Sequence, residues 1–226
     1  MRKLLLFICL CFIINKAKAQ STAEDKLGTW FMYNGSHKLS DKFGLKTMAH
    51  FRYYELTENF QQEIYRLGLN YTFNPKVNVT LGLSYATADR TYESPSNYLY
   101  EYRYYQDLNL KSFWGDFTAK HRFRLEQRFI HQDFNVDAFQ NWLRYDLNVS
   151  YPLSKTWSVY ALNELFLNLD RGKRFAQNWT GVGFMHKLNN TIKLKAGYFQ
   201  IKTPNEVLKR LQLGIIVNTD FSKKTI

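Results

Sequence analysis

Between Asp116 and Ile130 charged and apolar residues take turns. Lys120, Arg122, Arg124, Glu126 and Arg128 fall on one parity, and Phe117, Ala119, His121, Phe123, Leu125 and Phe129 on the other. In an extended strand successive side chains point to opposite faces, so this spacing gathers guanidinium and carboxylate groups on one side. Such a face can do one of two things. It can neutralise itself against carboxylates on adjacent strands, because charges taken out of water persist only when paired. Alternatively it can line a wet passage and select ions by charge, and the excess of basic residues on this strand points to anions. The complementary groups lie nearby, with Glu101, Arg103 and Asp107 at alternate positions before this segment and Arg144, Asp146 and Glu164 after it.

Hydrolytic chemistry at a barrel rim needs a Ser and a His, which makes His37, His50, His121, His131 and His186 the residues to weigh. None stands in a diagnostic local motif, and a triad is defined by geometry rather than spacing. By parity His121 belongs to the apolar face, while His50 and His186 are expected to point toward the charged one. Paired His at helical metal-binding spacing and Gly-rich phosphate loops do not occur, so no metal and no cofactor is expected.

The elements that carry these residues read as strands. Period-two alternation recurs over about 27 to 39, 42 to 56, 61 to 73, 76 to 89, 98 to 110, 116 to 130, 138 to 152, 155 to 168, 175 to 188, 191 to 202 and 206 to 218. The connections alternate in kind. Leu39-Ser40-Asp41-Lys42, Phe73-Asn74-Pro75-Lys76, Trp114-Gly115, Pro152-Leu153-Ser154-Lys155 and Leu188-Asn189-Asn190-Thr191 read as tight turns, whereas 90 to 97, 131 to 138 and 169 to 174 read as longer polar loops. A two-residue turn at Trp114-Gly115 opposes Glu101 to Arg128, Arg103 to Glu126 and Asp107 to Arg122. The same exercise across Asn135 sets Glu126 beside Arg144 and Arg124 beside Asp146, and across Ser154 it sets Arg144 beside Glu164. The expected result is a ladder of opposite charges around an inner wall.

Volume decides which face is inside. About ten strands with several bulky apolar side chains each would overfill a small barrel, so the apolar parity is expected outside and the ionic parity within. The chain ends agree with a membrane destination. Met1-Arg2-Lys3, an apolar run from Leu4 to Ile14 and Ala17-Lys18-Ala19 have the order of a cleaved export signal over residues 1–19, leaving 20–226 as one outer-membrane β-barrel domain. The run is too short for a spanning helix, for which about 20 residues are needed. Both cysteines, Cys9 and Cys11, lie within it, so the processed chain has no thiol for a disulfide, a metal or a nucleophile. Of the formal charge of +12, Arg2, Lys3, Lys16 and Lys18 contribute four and no acid precedes Gln20, which leaves +8. With no clustered basic tract, that charge suits lipopolysaccharide phosphates rather than nucleic acid.

Several strings carry a family resemblance: Gly28-Thr29-Trp30, HRFRLEQRF from His121 to Phe129, NWLRY from Asn141 to Tyr145, NELF from Asn163 to Phe166 and FAQNW from Phe175 to Trp179. Together they resemble the uncharacterised barrel family catalogued as domain of unknown function 2490. The resemblance implies an outer-membrane barrel with no assigned activity; Trp179 stands where a basic residue often occurs in that family. The expectation is therefore an antiparallel transmembrane β-barrel of a Gram-negative outer membrane, with lipid, lipopolysaccharide and the barrel-assembly machinery as partners. Its function reads as structural with an ion-paired lumen, with a narrow anion pore and a rim acyl hydrolase as alternatives. Eleven segments conflict with an even-stranded barrel whose two ends share one compartment. Either 27–39 folds into the lumen as a plug, leaving ten strands, or a twelfth strand is hidden.

Overall fold

In the computed structural model, which describes residues 23, 26–89, 91–92, 97–132, 135–170, 172 and 174–222, the chain closes into one barrel of eleven strands. These are β1 (Leu27–Lys38), β2 (Phe43–Tyr53), β3 (Phe60–Asn74), β4 (Val77–Asp89), β5 (Tyr98–Trp114), β6 (Phe117–Gln132), β7 (Asn135–Pro152), β8 (Trp157–Asn168), β9 (Phe175–Lys187), β10 (Ile192–Lys202) and β11 (Val207–Asp220). The proposed leader at 1–19 lies outside the described residues.

Sequential strands pair antiparallel all the way round, and the ring closes through a parallel pair, β1 with β11, from Leu27 opposite Lys209 to Lys38 opposite Asp220. This overturns the expectation of ten or twelve strands, and segment 27–39 is a wall strand rather than a plug. Closure has only to satisfy both free edges, and a parallel ladder does so with evenly spaced, slanted hydrogen bonds. An odd count follows, and so does a second correction. β1 starts and β11 ends at opposite mouths of the barrel, so the start of the first strand and the end of the last do not share one side.

The mouths differ in their connections. At one, called the turn end, three turns repeat a single device: Ser40 Oγ, Ser154 Oγ and Asn189 Oδ1 accept from the amides of Phe43, Trp157 and Ile192 at 3.0, 3.1 and 2.8 Å. Each short polar side chain holds a turn of the kind Ser and Asn favour. The β5–β6 turn sits at Gly115-Asp116 rather than Trp114-Gly115, because Trp114 pairs with Phe117 and Gly115 takes a φ of +52°. At the other mouth, the loop end, β6 runs to Gln132 and β7 starts at Asn135, so strands fill most of the stretch expected as a loop.

Polarity is inverted relative to a water-soluble protein. Outward residues on adjoining strands are apolar and open, including Leu67, Leu69, Leu81 (62% exposed), Leu83, Val182, Leu213 and Ile215. Aromatic residues flank this aliphatic belt, with Phe43, Phe73, Phe113, Trp114 and Phe117 toward the turn end and Tyr98, Tyr100, Tyr102 and Phe139 toward the loop end. Inward residues are enclosed, charged or polar in the middle layer and aromatic or aliphatic toward the loop end.

Two glycine pairs make room for inward tyrosines. Gly68 faces Gly82 across β3–β4 beneath Tyr105, and Gly183 faces Gly197 across β9–β10 beneath Tyr160, whose hydroxyl donates to Gln212 Oε1 at 2.9 Å. A Cβ at Gly197 would collide with the Tyr160 hydroxyl and approach Val182 O at 2.8 Å. Gly197→Val should therefore cost about 1–3 kcal/mol by overpacking. Tyr160→Phe, which loses one hydrogen bond, should cost about 0.5–1.5 kcal/mol. The check is the unfolding temperature of the purified barrel, and the account fails if G197V unfolds no earlier than Y160F.

Candidate functional site

The residues that alternation placed on the inner wall meet in one connected network. Glu126, fully enclosed at 0% exposure, is its hub. Around it stand Arg144 at 2.9 Å, Arg66 at 3.2 Å, and Arg103 and Arg124 each at 3.5 Å. Arg144 bridges on to Glu164 at 2.6 Å, and Arg122 reaches Glu164 at 2.8 Å and Asp146 at 3.8 Å. On the other side Arg124 grips Asp107 with two nitrogens, at 2.6 and 2.7 Å, while Glu101 binds Arg103 at 2.6 Å and also Arg128. Bidentate guanidinium–carboxylate contacts of this kind are the strongest of the charge-assisted bonds.

The ladder Arg103, Glu126, Arg144, Glu164 runs across four strands, yet each contact is displaced from the backbone register. In the backbone ladder Arg103 stands opposite Arg128, Glu126 opposite Trp142, and Arg144 opposite Phe166. The strands of a closed barrel tilt against its axis, so side chains at one height sit two residues apart along neighbouring strands. The turn assumed at Trp114-Gly115 is corrected for the same pair of strands: Asp107 opposes Arg124, not Arg122, and binds it. Arg122 takes Asp146 and Glu164 in place of Asp107, and Arg124 does not bridge Asp146.

Arg66 escaped the sequence reading. It is the only charged inward residue in the middle of β3, and its carboxylate partner lies across the lumen on β6 rather than on a neighbouring strand. Adjacent-strand pairing carries no signal for such a contact.

Toward the loop end the lumen fills with rings. Trp30, Phe199, Ile201 and Leu208 form a buried cluster, with Trp179 edge-on to Trp30 at 4.9 Å and Phe166 tilted against Trp179 at 4.5 Å. Guanidinium groups lie on these faces, Arg52 over Trp30 at 3.5 Å, Arg128 over Trp142 at 3.7 Å and Arg144 over Phe166 at 4.3 Å. A desolvated cation over an aromatic face gains about 2 kcal/mol, so the rings supply part of what the arginines lose on leaving water. A second apolar group, Ala88, Leu99 and Ile130, seals the opposite wall.

The histidines do not assemble a rim catalyst. His50 faces the lumen and meets Asn34 at 3.3 Å. His186 faces outward against Trp157 at 4.3 Å, contrary to expectation, because inward parity on β9 belongs to Trp179, Gly181 and Gly183. His121 is outward beside Tyr145, His37 sits outside between Thr47 and Thr219, and His131 pairs with Asp137 at the exposed loop end. Among the described residues no His is hydrogen-bonded to a Ser, and no group of three or more His, Cys, Asp or Glu could hold a metal.

Removing one partner from a buried ion network strands the others, at a cost of about 3–5 kcal/mol. Glu126→Gln should lose that much stability, and adding Arg66→Gln should restore part of it, giving a coupling energy of about 0.5–3 kcal/mol in a double-mutant cycle. Additive losses, read by denaturant titration, would show that Arg66 and Glu126 are not joined. At the loop end the Tyr92 hydroxyl, with the Lys26 ammonium behind it, holds Glu55 below the ordinary value of 4.5. A depressed carboxylate contributes stability above its unfolded value, and the contribution fades as pH falls through the folded one. A carbon-13 titration of Glu55 should thus have its midpoint under 4.5, and a midpoint at or above that value would remove the contact.

A family model described as a protein of unknown function, DUF2490, matches residues 27–211. Comparison with curated proteins and with solved structures gives no match. The matched stretch runs from the first residue of β1 into β11 and takes in every member of the ion network, so the chain belongs to the DUF2490 family.

Proposed function

We propose that this chain is an outer-membrane β-barrel whose lumen is closed, and that its role is structural rather than conductive. The observation that carries the reading is the inverted polarity: aliphatic residues ringed by aromatics outside, and guanidinium and carboxylate groups enclosed within. Lipid is the solvent such a surface suits, since acyl chains cover apolar side chains at no cost and headgroups meet the aromatic girdles. The dimensions agree. The shortest strands have 11 residues. They extend roughly 36 Å, and at a tilt near 40° they still cover an apolar band of about 25 Å.

Export through a leader at 1–19, assembly by the barrel-insertion machinery of a Gram-negative cell, and contact with phospholipid and lipopolysaccharide belong to the same proposal. Closure of the backbone ladder supports it, because no unpaired strand edge is left to face hydrocarbon.

Filling of the lumen favours the structural reading over an anion pore. An ion crossing it would have to part the Glu126 network and the Trp30–Trp179–Phe199 cluster, both enclosed by neighbouring side chains.

Expression in a Gram-negative host should yield a mature chain beginning at Gln20, found in the outer-membrane fraction and extracted only by detergent. In a planar bilayer the purified protein should give no unitary current above lipid leak. Recovery as a water-soluble monomer sinks the membrane assignment, and stepwise anion currents sink the closed lumen.

A further inference from the structure

The turn end of the lumen breaks the rule its middle obeys. Lys111 on β5 stands opposite Lys120 on β6, and Lys187 on β9 opposite Lys193 on β10, in hydrogen-bonded register and on the lumen-facing parity of their strands. Like charges directly opposed destabilise an antiparallel pair. Yet among the described residues the only lysines in ion pairs are Lys26, at the loop end, and Lys38, at the rim of the turn end with Asp41 and Asp220. The barrel neutralises every carboxylate of its middle layer with arginine and leaves these ammonium groups facing one another.

The first of these pairs, Lys111 and Lys120, borders a space. A cavity of about 500 Å³ opens at this mouth, with Lys46, Lys111 and Lys120 on its walls and Arg122 and Arg124 at its base. Its two carboxylates are already engaged, Asp107 by Arg124 at 2.6 Å and Asp146 facing Arg122 at 3.8 Å. Lys46 Nζ has only the neutral Ser36 Oγ, at 2.7 Å. Arg122 Nε, enclosed at the base, has no acceptor among the described residues. Asn109 Nδ2 donates to Asn78 Oδ1 at 3.1 Å, and the two amides add neutral polar groups to the same wall.

From this geometry we propose that the turn-end vestibule binds a compact, multiply charged, phosphate-bearing anion drawn from the aqueous compartment that this mouth faces. Several ammonium point charges around a concave space match an anion offering several oxygens, and mutual repulsion among the lysines becomes attraction once such an anion sits between them. A soluble source fits better than a lipid headgroup. The lysines point into the lumen, and the ladder that separates them from the outer surface is continuous. The site is a dead end only insofar as the closed-lumen reading holds, whereas the cations and their register stand apart from it.

The probe is pyrophosphate, titrated by calorimetry into the full-length mature barrel in phosphatidylcholine nanodiscs at fixed ionic strength. Saturable one-to-one binding is expected, weakened about tenfold or more in the Lys111→Gln, Lys120→Gln double variant. Without ligand that variant should unfold no earlier than the wild type, since a repulsive pair has been removed. Absence of saturable binding, or equal affinity in the variant, overturns the proposal. Should the variant not fold, the wild type decides alone: pyrophosphate must raise its unfolding temperature by several degrees over sodium chloride of equal ionic strength, and no rise overturns the site. Phosphatidylglycerol nanodiscs separate the sources. Undiminished binding there supports a soluble ligand, and competition by the anionic lipid overturns it. Failure of the bilayer-current experiment alone would leave this site standing, and failure of pyrophosphate binding alone would leave the closed barrel standing.

Discussion

A carboxylate that no water reaches must be surrounded by positive charge, and Glu126 meets that condition with four arginines drawn from β3, β5, β6 and β7. Much else in the barrel follows from it. The arginines must arrive at one height, which fixes how far each strand is slid against the next. They must also find further acids, which brings in Glu164, Asp107 and Glu101. Taking such groups from water costs several kcal/mol each, so the network is better understood as a device for register than as a source of net stability. A slip of two residues along any of these strands would put guanidinium against guanidinium.

Parity was legible in the sequence, and sliding was not. Alternation over Phe117 to Ile130 fixes which side chains share a face, because period two is a property of any extended chain. Which residue meets which depends on the turn and on tilt. The assumed turn at Trp114-Gly115 was displaced by one position, shifting the register by two residues, and the neglect of tilt shifted it by two in the other direction. The two errors cancelled for Glu101 with Arg128 and for Arg103 with Glu126, and did not for Asp107. The opposed Lys111 and Lys120 were hidden by the same mistake, which set Lys111 against Thr118 instead. Arg66 was hidden for another reason, since contacts across a lumen leave no trace in neighbouring strands. His186 was misassigned because the alternation around it is weak, with Gly181 and Gly183 marking the inward face by small size rather than by charge.

Along its axis the lumen passes through three zones of different solvent character within one wall of strands. Rings and aliphatics occupy the loop end, compensated charges the middle, and uncompensated ammonium groups the turn end. The arginines are common to the first two zones: Arg128 and Arg144 lie over Trp142 and Phe166 and bond carboxylates as well, while Arg52, over Trp30, donates to the Gln62 amide oxygen. Lysine, a compact point charge that stays well hydrated, lines the third. The division of labour between the two basic residues follows how wet each zone is.

The parallel seam between β1 and β11 decides where the polypeptide enters and leaves the wall. Both strands head the same way, so whatever precedes Leu27 emerges among the loops, beside Glu55 and Tyr92, while whatever follows Asp220 emerges among the tight turns. In a sealed bilayer these are different compartments. On the outer-membrane reading proposed above, short epitopes placed just before β1 and just after β11 would therefore be stained from opposite faces of the membrane, and the sense of the barrel could be read from which one an impermeant antibody reaches.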